Sequence, residues 1–233
     1  MPAGVYSVRV LAVGGGGGAA DFQTGGAGSG LIAGGTKDVT PGQNYSVVVG
    51  KGGIGQVWDG ESNTAGTGSS IAMMILSVSG GSTSDTWLGP NGGSGGGTGG
   101  YLYSPNVACS EGGNGGTGGS DGGYCETPNG QRDGGYGQGT AIWAAILSIF
   151  KHQNFTAGAG GLAGRGSDSN YYYVNGGGAG GVLVNGMGPR AEHGTGNVFP
   201  AQGGIGYGAG GGSGGRTAGG AGAAGLVYIE WDL

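Results

Sequence analysis

Apolar residues fall along this chain in islands, and the stretches between the islands are mostly glycine. VYSVRVLAV at 5–13 alternates apolar and polar positions and predicts a strand. NYSVVVG at 44–50 is β-branched and predicts a second. It follows TPG at 40–42, where proline presets φ and glycine supplies a positive one. SSIAMMILSVSGG at 69–81 and GGVLVNG at 180–186 are further islands, and GLVYIEWDL at 225–233 closes the chain. The first and last islands are expected to pair, because paired terminal strands tie down both ends of a domain. TAIWAAILSIFKHQ at 140–153 differs from the rest. It is rich in Ala, Ile and Leu and ends in Lys151 and His152. A short helix is the first reading there and a buried strand pair the second, since periodicity alone does not separate them.

Glycine tracts join the islands: GGSGGGTGG at 92–100, GGNGGTGGSDGG at 112–123, GGGAGG at 176–181, and a long run at 208–225. Several repeat G-G-x, a period that suits a helix with three residues per turn. Glycine adopts that extended geometry as polyglycine II. Without side chains such rods approach closely enough for N–H···O=C and Cα–H···O contacts between them. Ordering glycine costs more backbone entropy than ordering any other residue, so the islands must offset it with a core. Flexible linkers are the bland alternative, but linkers do not need 70 glycines in 233 residues or so many returns to apolar strand. The expected fold is therefore mainly β. It is a single domain over 1–233, with short strands from both termini and the internal islands, a packed lattice of polyglycine II helices, and one short helix.

Composition removes the rival classes. Collagen needs a strict triplet and abundant proline, and the chain has 7 prolines. Disordered glycine-rich tails are polar, whereas this chain is 36% hydrophobic and 9% charged, with 4 Trp and 11 Tyr. A net charge of −5 without a basic stripe gives nucleic acid no electrostatic footing. No apolar run reaches the length of a membrane span, and the N-terminus lacks a signal-peptide pattern. The chain is accordingly expected to be made in the cytosol or to be a mature fragment.

Candidate chemistry is sparse. At this glycine content G-x-G-x-x-G arises by chance, and VVVGKGG at 47–53 lacks the Ser or Thr that a phosphate loop places after Lys51. The histidines are His152 and His193, neither near Cys109 or Cys125 in sequence. The acidic residues are scattered, and Asp121 in GGTGGSDGG is out of register for a calcium-binding β-roll. No enzyme activity, cofactor or metal is expected. Cys109 and Cys125 form either one disulfide, worth roughly 3 kcal/mol at that loop length, or two free thiols. NFT at Asn154 and NYS at Asn44 match the glycosylation sequon, the latter inside the predicted second strand.

Aromatic segments stand out against this background. Tyr171, Tyr172 and Tyr173 lie together in SDSNYYYVN, and Trp87, Tyr101 and Tyr103 have similar small, polar surroundings. Tyr with Ser, Asn and Gly is the composition of adaptable contact loops. These six residues are the candidate partner-binding positions, with capping of glycine rods as the structural alternative.

A V-x-V-L-x-V strand running into glycines, then TPGQNYSVVVGKGG, an apolar segment ending in S-G-G, and a terminal GLVYIEW after more glycine resemble a glycine-rich domain. Such domains occur in bacteriophage tail-fibre and adhesin proteins and in related viral and eukaryotic-microbe proteins. A looser similarity is to the glycine-rich ectodomain of anaplastic lymphoma kinase. The resemblance covers most of the chain and implies a rigid, non-enzymatic surface component of a virion or fibre. Its loops at 82–91, 101–111, 124–133 and 167–175 would meet a host glycan, a host protein or other subunits, with a homo-oligomer as one arrangement. The chain lacks a recognisable attachment domain ahead of its glycine part. The alternatives are a secreted extracellular module for ligand binding or matrix assembly and, less favoured, an ice-binding protein, against which the irregular spacing of Thr98, Thr117, Thr140 and Thr217 argues.

Overall fold

The computed structural model describes residues 1–20, 24–56, 63–71, 76–83, 89–97, 100–103, 114–127, 130–132, 135–168, 171–196, 199–215 and 218–232. In chain order the strands are β1 (Ser7–Val13), β2 (Ile32–Asp38), β3 (Val47–Val48), β4 (Ser69–Ile71), β5 (Leu76–Val78), β6 (Gly100–Tyr103), β7 (Cys125–Thr127), β8 (Gly130–Arg132), β9 (Phe155–Ala157), β10 (Gly164–Asp168), β11 (Tyr171–Asn175), β12 (Val182–Val184) and β13 (Leu226–Glu230). One helix, α1 (Thr140–Leu147), lies between β8 and β9. The fold is mainly β, as the islands predict.

β1 sits between β13 and β2, antiparallel to both, so the two terminal islands do pair. The pleat of β1 sends Val8, Val10 and Ala12 to one face, against Ile71, Leu76 and Val78 of β4 and β5. It sends Leu11 and Val13 to the other, against Trp143, Phe155 and Val182. This double-sided core forms a cap at one end of the molecule. The apolar island at 140–153 resolves as helix over its first part only. Trp143 is the helix residue that is fully buried, while Ile142, Ala144 and Ala145 are exposed. The second predicted strand shrinks to Val47–Val48, exposed and paired on one side with β4. Asn44 therefore stands in an exposed loop ahead of the strand and not inside it. Pairing stops there because Gly50 already belongs to the next rod.

Beyond the cap the backbone becomes a lattice of rods. The N–H groups of Gly14 and Gly17 donate to the 28–31 segment, those of Gly15 and Gly18 to 64–67, and those of Gly16 and Ala19 to 220–223. In return Gly81, the pair Gly53 and Gln56, and the pair Gly211 and Gly214 donate to carbonyls of the same rod. Every third residue thus meets the same neighbour, and six neighbours surround the rod, three accepting and three donating. That is the arrangement of polyglycine II with three residues per turn. The 176–181 and 208–215 segments are enclosed in the same manner. Gly178 shows why glycine is required at most inner positions: a Cβ there would lie 2.0 Å from the Gly210 carbonyl oxygen.

Where a rod has no outer neighbour, a side chain takes the place of the missing carbonyl. Thr67 and Thr64 Oγ1 accept from the N–H groups of Lys51 and Ile54, three residues apart on both segments. Thr117 Oγ1 and Asn114 Oδ1 do the same for Gly160 and Ala163. The x of G-G-x is therefore a finishing position on the outside of the lattice. Ser69 closes the joint between sheet and lattice. Its fully buried Oγ donates to the Val13 carbonyl at 2.6 Å and accepts from the Gly50 N–H at 2.8 Å. Ser69→Ala leaves the buried Gly50 N–H unmet and removes one bond to the Val13 carbonyl, and is expected to lower unfolding free energy by about 1–3 kcal/mol in guanidinium titration.

Rods alternate in direction. The chain leaves the cap along 14–20 and returns along 26–31, leaves along 50–56 and returns along 63–68, and continues so to 208–215 outward and 218–225 inward. The end remote from the cap consequently gathers β6, the β7–β8 hairpin, and the β10–β11 hairpin.

Candidate functional site

Three strands carry the aromatic segments at that remote end. The 158–163 rod leads outward into β10, β11 leads back into the 176–181 rod, and β6 adds on the far side of β11, all antiparallel. The segments at 101–111 and 167–175, expected as loops, are thus in part strands of one sheet, because aromatic and β-branched residues favour pairing once glycine rods bring them side by side. The register sets Tyr171 opposite Tyr103, Tyr172 opposite Leu102 and Tyr173 opposite Tyr101. Directly opposed residues share a face, so Tyr101, Tyr103, Tyr171 and Tyr173 occupy one face and Tyr172 the other. Asp168, opposite Tyr171, falls on the four-tyrosine face. Neighbouring positions of the grid lie roughly 5 Å apart across strands and roughly 7 Å apart along them. Asn175 seats the base of β11. It is fully buried, and its Nδ2 donates to the Phe199 carbonyl at 3.1 Å.

The structure therefore brings five of the six predicted contact residues into one sheet. Trp87 and Cys109 lie outside the described residues. Cys125 opens β7 and pairs in register with Arg132, so the segment expected as a loop at 124–133 contains a hairpin.

A second constellation sits at the cap, unnoticed in the sequence because its members are up to 223 residues apart. Glu230 is buried, and its oxygens accept from Arg9 Nε, the N–H groups of Lys151 and His152, and the Tyr228 hydroxyl. Burial pushes this carboxyl upward, but the bonds from Lys151, Arg9, His152 and Tyr228 outweigh it and hold the pKa at about 2. Arg9 forks onto both Asp232 oxygens, and Lys151 Nζ reaches one of them at 2.7 Å. Bonds from Arg9 and then Lys151 depress the Asp232 carboxyl, and those to Asp232 and then Glu230 raise the Arg9 guanidinium. Every lone-pair direction of Glu230 is taken up. The cluster clamps the terminal strand pair to the segment after α1.

A family profile described as a glycine-rich domain matches residues 1–232. The chain belongs to this glycine-rich domain family. No curated protein and no solved structure matches it. In this glycine-rich domain the glycines build the lattice, and the sheet of β6, β10 and β11 lies at its remote end. Among the described residues, no group of His, Cys, Asp and Glu is arranged to hold a metal ion, and no helix is long and apolar enough to cross a membrane.

Proposed function

We propose that the chain is a rigid, non-enzymatic attachment component of a virus particle or fibre, presenting its tyrosine sheet to a host-surface glycan or protein. The observation that supports this reading is the register that gathers Tyr101, Tyr103, Tyr171 and Tyr173 on one sheet face at the end of a hydrogen-bonded lattice. A scaffold of that kind leaves little conformational entropy to lose on contact. Tyrosine supplies a broad amphipathic surface at the same low cost.

The test is a double variant, Tyr171→Ser with Tyr173→Ser. Adsorption to cells of the host is expected to fall about ten-fold or more, with the unfolding temperature unchanged. Equal adsorption by the variant sinks the reading. Exposed Asn154, heading the sequon with exposed Thr156, is the observation that favours the extracellular module. A glycan at Asn154 in the intact mass of native-source protein would select that alternative.

A further inference from the structure

The cap carries an open strand edge. Val182 exchanges backbone hydrogen bonds with Tyr207, and Val184 with Met187. The rung between Leu183 and Thr156 is therefore the one that ties β12 to β9. Asn185 N–H donates to the Asn154 carbonyl and Gly158 N–H to the Gly181 carbonyl, in the same phase. The backbone groups of Phe155 and Ala157 consequently face away from β12. Among the described residues nothing meets their N–H or C=O.

A groove of about 470 Å³ borders this edge. Its other wall is α1 and the segment after it, through Trp143, Ala144, Leu147 and Phe150. Among the described residues, its lining includes no charged side chain. The turn at Gly118 also lines it, where a Cβ would lie 2.9 Å from that of Ala157, so the lattice row beside 158–163 stops where the groove begins. Trp143 is 1% exposed, and its Nε1 is buried without a hydrogen-bond partner. Its Cδ1 lies towards the backbone of Gly119. Two backbone donors and two backbone acceptors thus border a channel that is uncharged among the described residues and spans roughly 10 Å of strand.

We propose that this edge takes up an extended, uncharged peptide segment of a partner subunit, which adds to β9 as a third strand. Strand addition of this kind draws affinity from main-chain hydrogen bonds and specificity from alternate side-chain positions. Here the N–H and C=O groups of Phe155 and Ala157 supply the ladder. Alternate small apolar side chains enter between Leu147, Phe150 and Phe155, beside the buried Trp143 ring. The lattice then has one end for display and the other for assembly.

The probe is the capped peptide acetyl-Thr-Val-Thr-Val-Thr-Val-amide, titrated into the ¹⁵N-labelled full chain. The Trp143 indole resonance is expected to shift, and the Phe155 and Ala157 amides, fast-exchanging in the free protein, to become protected. Ala144→Glu puts a charge into the groove from an exposed helix position and is expected to weaken binding about ten-fold or more. Ala157→Pro removes an edge donor, and proline is tolerated at strand edges, so it is expected to do the same. The proposal fails if the peptide leaves the indole and both amides unchanged. It fails equally if both variants bind as the parent does, or if the two amides are already protected in the free chain by a second copy.

Discussion

A Gly16→Ala variant is expected to lose more than about 4 kcal/mol of unfolding free energy, a size reserved for changes with no local escape. The added Cβ would stand 1.9 Å from the Ala209 carbonyl oxygen and 2.4 Å from its carbon. Overpacking in an ordinary core costs about 1–3 kcal/mol, because side chains rotate out of the way. Here the obstacle is backbone, and that backbone is fixed by its own bonds: Ala209 accepts from Ala223, which in turn receives the N–H of Gly16 itself. Making room means separating rods and breaking several such bonds together. Gly186→Ala is the control. That glycine has φ +75° in the turn after β12, with no atom within 4 Å of a Cβ. Only the left-handed strain remains, about 1–2 kcal/mol. Guanidinium unfolding of both variants separates close packing from glycine's conformational freedom. Equal losses would remove the lattice as the source of stability.

Glu230→Ala is expected to cost about 2–3 kcal/mol, because it removes the acceptor of four hydrogen bonds while Arg9 keeps its fork on Asp232. The loss strands the N–H groups of Lys151 and His152 and leaves Arg9 only Asp232. The same residue sets the acid limit. The Glu230 carboxyl has its pKa lowered from 4.5 to about 2 in the folded chain. The unfolded chain therefore binds the proton first as pH falls. The contribution of Glu230 is fully present above about pH 4.5 and is lost progressively as pH drops towards 2. Glu230→Gln is expected to flatten that part of the stability profile, measured by denaturant midpoints between neutral pH and pH 2. A profile of unchanged slope would show that the clamp does not govern acid unfolding.

Much of this architecture was legible in the chain, and particular residues show why. The alternation over 5–13 predicted β1, and the matching pattern at 225–233 predicted its partner. The G-G-x spacing predicted rods because period three is a backbone property that survives any choice of x. Helix α1 was half legible: Ala and Ile marked it, but only packing of Trp143 against the sheet decides between helix and strand. What the sequence did not show is pairing over distance. Nothing near Glu230 announces Arg9, and nothing near Tyr101 announces Tyr173. The β7–β8 and β10–β11 hairpins read as loops because their strands are too short to show a period, and the glycine rods carry no signal of which segments they set side by side. The run at 44–50 read as a full strand, whereas only Val47 and Val48 pair, exposed at a sheet edge.

Alternating rods also fix how the molecule would carry force. Hydrogen bonds between rods lie across the rod axis, and both chain ends leave from the cap, on neighbouring strands. A pull between the tyrosine sheet and the cap therefore runs along every rod at once. It loads the lattice in shear, with many transverse bonds sharing the tension in parallel. A pull that parts the two chain ends instead peels β1 from β13 one rung at a time, beginning at Arg9 and Glu230, where the charged clamp is placed. The same fold is stiff along one axis and separable along another.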